Sequence, residues 1–124
     1  MSITTKQSSP KREFKRFLKV AQVHQQETGR QAFMPACPVD TEWHHQIKQP
    51  KQYRALCRRV VGCEVRHEPA KGKGRINWSK TYEKLFGQLP AVWFRDTNRI
   101  LDQARRQKYL QTGIFEASWD CTPG

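Results

Sequence analysis

The stretch C-P-V-D-T-E-W-H-H-Q-I at residues 37–47, continued by Q-Y-R-A-L-C-R-R-V-V-G at 52–62 and C-E-V-R-H-E-P at 63–69, decides the fold. A helix over 39–48 advances about 100° per residue, so Asp40, Trp43, His44 and Ile47 share one face and His45 points to the other side. In the second segment Tyr53, Leu56, Cys57, Val60 and Val61 follow the spacing of a core-facing helical stripe, and Lys51, Arg54 and Arg58 fall outside it. Cys57 is therefore expected in the core. Asp40 and His44, joined by His67 farther on, form a polar set lying against hydrophobic neighbours, where an unpaired polar group is costly.

The remaining chain reads outward from this pair of helices. Pro10 is a natural helix start, and Phe14, Phe17, Leu18 and Ala21 mark an apolar stripe up to a stop near Gly29. Its first half is dense in cations, among them Lys15 and Arg16, which oppose the helix dipole and hint at use rather than stability. Residues 1–10 read as a disordered arm, which leaves 11–124 as one domain. Phe33 and Met34 are expected to plug the core. E-P-A-K-G-K-G-R at 68–75 reads as a surface loop carrying Lys71, Lys73 and Arg75. A fourth helix follows with Trp78, Tyr82, Leu85 and Phe86 inward. A long last helix from Pro90 to Gly113 would bury Trp93, Thr97, Ile100, Leu101 and Ala104 and project Arg95, Arg99 and Arg106 on its far side. The tail, with Ile114, Phe115 and Trp119, is too apolar for disorder and should fold back. The expectation is a mostly α, single-domain bundle of about five helices with little or no β structure.

The same stretch resembles the uncharacterised family of glycine-rich-domain-containing proteins and their small bacterial relatives. The shared pattern is carried by Val39, Asp40, Trp43, His44 and Ile47, by Tyr53, Cys57, Gly62, His67 and Pro69, and by Tyr82, Phe86, Gly87 and Pro90. It covers roughly residues 34–94. Gln46 stands where relatives place a second His, and the extra His is at 45. The resemblance implies a fold but no established reaction.

Charge is the strongest global signal. Against 11 Asp and Glu, the chain carries 23 Lys and Arg, a formal net charge of +12. Solubility needs far less, so an acidic partner is indicated. There is no apolar run of membrane-spanning length and no secretory leader, so a cytoplasmic protein with reduced thiols is expected, with no membrane partner. The four cysteines form no C-x-x-C pair.

Asp40, His44, Cys57 and His67 are all donors that zinc accepts, although their spacing matches no standard zinc signature. The competing reading is a buried polar network in which Asp40 caps its helix and orients His44. A Cys57–His nucleophile pair is disfavoured because Cys57 lies within an apolar stripe, and K-G-K-G-R lacks the spacing of a phosphate-binding loop. These observations favour a non-enzymatic binding protein with no cofactor, whose partner is nucleic acid or an acidic protein. Its contacts would come from Lys15, Arg16, Lys51, Arg54, Arg58, Lys71, Lys73, Arg75, Arg95, Arg99 and Arg106. The alternative is a metal-binding or hydrolytic module on Asp40, His44, Cys57 and His67. Oligomeric state is not legible.

Overall fold

The computed structural model describes residues 7–123. Most of the arm expected over 1–10 therefore lies outside the described residues. Pro10 already belongs to the first helix, α1 (Pro10–Thr28), and Ser9 caps it, its hydroxyl accepting the Arg12 N–H at 3.1 Å. Gly29 closes it in the left-handed region at φ 71°, where its N–H reaches the Gln25 carbonyl. Helices α2 (Pro38–Ile47) and α3 (Pro50–Val61) follow, each with proline in its first turn. Helix α4 (Ser79–Phe86) packs on α1 from the other side.

The helices meet around a ring cluster. Phe17 lies 5.8 Å from Trp43, 5.5 Å from Trp78 and 6.3 Å from Trp93 between ring centres, and all four residues are sealed from solvent. Such offset and edge contacts add to the gain from simple burial. Tyr53, Leu56 and Cys57 are buried as their stripe requires.

The expectation of little or no β structure is overturned. Strands β1 (Met34–Pro35), β2 (Glu68–Arg75) and β3 (Glu116–Thr122) form an antiparallel sheet in the order β1-β3-β2. The segment read as a loop at 68–75 is β2, and the tail supplies the central strand. Along β2 the cations Lys71, Lys73 and Arg75 are exposed and alternate with Ala70, Gly72 and Gly74. Glycine is needed at 72 because Trp119 lies directly across, and a Cβ there would come within 2.3 Å of the indole ring. Trp119 is held in turn by Phe33, stacked at 4.3 Å with the rings 8° from parallel. Gly72→Ala should therefore lose about 1–3 kcal/mol in a urea melt, because the indole or the strand must move. Lys73→Ala, on the exposed face, should stay within about 0.5 kcal/mol; equal losses would contradict this account.

The single long helix expected after Pro90 is also corrected. A short 3-10 turn covers Ala91–Phe94, the chain then bends, and α5 runs only over Gln103–Thr112. Two aspartates explain the break. The Asp96 carboxylate accepts the N–H groups of Asn98 at 2.8 Å and Ile100 at 2.9 Å, offering the backbone an alternative to the helical ladder. Asp102 caps α5 by accepting the Arg105 N–H at 3.0 Å. As a result Thr97 and Ala104 are exposed, and Ile100 is 66% exposed rather than buried. Helix α5 instead buries Tyr109, whose hydroxyl donates to Glu83 at 2.5 Å and accepts the Leu89 N–H at 3.1 Å.

Candidate metal centre

Helix α2 begins at Pro38 and places Asp40 in its first turn and His44 one turn later, on the same face. Asp40 does not spend its side chain on a simple cap. Its Oδ1 accepts a hydrogen bond from the Cys121 thiol at 3.0 Å and stands 3.4 Å from His44 Nε2. Cys121 is on the central strand, opposite Pro69 of β2 and Met34 of β1, and is almost fully buried. The β2–β3 register thus also brings up His67, the residue just before β2.

His67 is set by its neighbours. Its ring meets Trp43 and His44 edge-on, each with centroids 4.6 Å apart. Trp43 Nε1 donates to the Tyr53 hydroxyl at 3.0 Å, and that hydroxyl donates to the Val65 carbonyl at 2.5 Å, which fixes the approach to His67. His67 Nε2 is shielded from water and has no hydrogen-bond partner. One donor atom from each of Asp40, His44, His67 and Cys121 lies within 4.8 Å of the other three. Tetrahedral bonds of about 2.0–2.3 Å would set such donors roughly 3.3–3.8 Å apart, so small rotamer adjustments close the set.

The electrostatics suit a cation. Burial, then the neighbouring charge of His44, lowers the His67 pKa below the ordinary imidazole value of 6.5, so the ring is neutral and its lone pair free at pH 7. Burial first, and then the hydrogen bond to Asp40, hold the Cys121 thiol well above its usual range. A metal ion reverses that preference by replacing the proton. Cys37 precedes α2 but stays outside the set, its thiol pushed up to about 12 chiefly by burial. His44 remains half-exposed and forms the outer edge of the site.

Three of the four donors expected from sequence therefore converge, and one does not. Cys57 is in the core, where α3 places it, and Cys121 stands where a thiol was expected. The signal for Cys121 was present: Phe115, Ala117, Trp119 and Cys121 alternate with polar residues, the period of a half-buried strand.

The expected surface cations separate as well. Lys15, Lys51, Arg54, Arg58, Lys71, Lys73, Arg75 and Arg99 are exposed. Arg16 is not a surface group: its guanidinium lies 3.5 Å from Glu13, donates to the Tyr82 hydroxyl at 3.1 Å and sits over the Phe86 ring at 4.8 Å. Arg95 donates to the Arg99 carbonyl within the bend after the 3-10 turn, and Arg106 is half-buried on α5. With the helix broken, Arg95, Arg99 and Arg106 do not form one helical stripe.

The chain matches no family model, no curated protein and no solved structure. Among the described residues, no helix is long and apolar enough to cross a membrane.

Proposed function

We propose that the chain is a zinc-binding protein whose ion is held by Asp40, His44, His67 and Cys121. The observation that carries this is His67: a shielded ring nitrogen without a partner, in a ring that stands among three further donors. A buried polar network of Asp40, His44 and Cys121 alone leaves that nitrogen unpaired, which is costly. A cation at the centre pairs all four groups at once. The donor types suit zinc, because imidazole and thiolate together favour it over magnesium or calcium. Four protein donors complete a tetrahedral shell and leave no open position for substrate, so the ion's work is structural. It ties α2, the segment before β2 and β3 to one point.

Metal analysis of protein purified without an affinity tag tests this directly. One zinc per chain is expected, lost in Asp40→Ala, His67→Ala and Cys121→Ala and retained in Cys57→Ala. Metal-free wild type that takes up no zinc on titration, or undiminished uptake by Cys121→Ala, would overturn the proposal.

A further inference from the structure

Helix α2 has a second face, away from the metal donors. There His45 and Gln46 form one wall of a cleft completed by Lys11 and Lys15 of α1 and by Gln52 and Arg59 of α3. The cleft holds one acid, Glu42, and its carboxylate accepts a hydrogen bond from Gln46 Nε2 at 2.6 Å. Lys11, Lys15 and Arg59 are exposed, and no ion pair engages them among the described residues. This differs from Lys84, Arg105 and Lys108, each of which has a carboxylate partner. Three cations gathered from two helices face the single carboxylate of Glu42, so the concave surface is net positive and favours an anion.

We infer that this cleft binds the phosphodiester backbone of a nucleic acid. Lysine and arginine contact phosphate oxygens, and arginine adds a planar fork that grips two of them. The glutamine amides along the walls donate and accept, as contacts to sugars and phosphates require. The protein's formal net charge of +12 would draw a polyanion to the cleft from a distance. An acidic protein segment is the less suitable occupant. Its carboxylates are irregularly spaced, whereas a nucleic acid offers one negative charge per nucleotide along a continuous track. The inference does not depend on the metal, since the two sites lie on different faces of α2.

Fluorescence anisotropy on the full chain as purified provides the test, with labelled single-stranded RNA and duplex DNA of about twenty nucleotides or base pairs and a polyglutamate peptide as probes. Binding to at least one nucleic acid should weaken linearly in log affinity against log salt. In Lys15→Gln/Arg59→Gln affinity should fall about tenfold or more, and the salt slope should shrink by about 1.4–1.8. The control is Lys80→Gln/Lys84→Gln, which removes the same charge from the exposed side of α4 and should change affinity by no more than about twofold. Should the cleft variant melt early, Lys11→Gln/Lys15→Gln replaces it with the same expectation. Equal losses in cleft and control variants, equal affinity for polyglutamate, or no nucleic-acid binding at low salt would each overturn the inference.

Discussion

Replacing Glu13 by alanine is expected to lower the unfolding free energy by about 3–5 kcal/mol, a large share of the total for a domain of this size. Glu13 is fully buried on α1. Its Oε1 accepts from the Tyr82 hydroxyl at 2.5 Å and from Trp93 Nε1 at 2.9 Å, while Oε2 stands 3.5 Å from the Arg16 guanidinium. Burial first, and then the Glu13 carboxylate, hold the Tyr82 hydroxyl protonated well above its usual range. Alanine leaves the Tyr82 O–H and the Trp93 N–H without their acceptor and the Arg16 guanidinium without its carboxylate, and opens a hole beside them. Glu13→Gln keeps the volume and one acceptor but turns an amide toward Arg16, so its loss should be smaller, about 1–3 kcal/mol. Urea denaturation of both variants measures this. A Glu13→Ala midpoint near wild type would mean the carboxylate is dispensable.

Adding zinc to the metal-free protein should raise its unfolding free energy by about 4 kcal/mol when free zinc is a thousandfold above its dissociation constant. The gain arises because the donors come from three separated parts of the chain, so the unfolded chain offers no comparable site. Cys121→Ala and His67→Ala should lose the increment altogether. Cys57→Ala, which only hollows the core slightly, should keep it on a lower baseline. The effect has a definite pH sign. Cys121 enters the site as a thiol and must give up a proton, so affinity should fall about tenfold for each unit the pH drops below neutral. His67 adds its own proton competition only below its ordinary value of 6.5, since burial lowers its pKa. Thermal melts with and without zinc across that range check the direction. A zinc increment that grows toward acid would contradict the donor set.

The legible parts of the sequence were those governed by short-range rules. Pro10, Pro38 and Gly62 mark helix ends in the chain itself, and the Tyr53–Leu56–Cys57 stripe needs no knowledge of what it packs against. Asp40 and His44 were paired by helical spacing alone. What escaped was set by distant partners. Lys71-Gly72-Lys73-Gly74 has the composition of a loop, and it becomes a strand because Trp119 lies over Gly72 and β3 supplies the hydrogen bonds. Glu13 sits within a basic run, and its partners Tyr82 and Trp93 lie more than sixty residues downstream. Apolar spacing alone predicts an unbroken last helix because it takes no account of Asp96, whose turn-forming carboxylate is a local signal.

The central position of β3 also bears on how the chain comes together. Helices α1, α2 and α3 are neighbours in sequence and can meet by closing short loops, whereas Met34 pairs with Cys121 and Glu68 with Thr122 across much of the chain. Loop-closure entropy grows with that separation and must be spent before the strands reward it. The helical part can thus organise early, and the pairing of β3 is expected to set the pace of folding. Until that step, Cys121 is far from Asp40, and His67 lacks the thiol that would complete its surroundings.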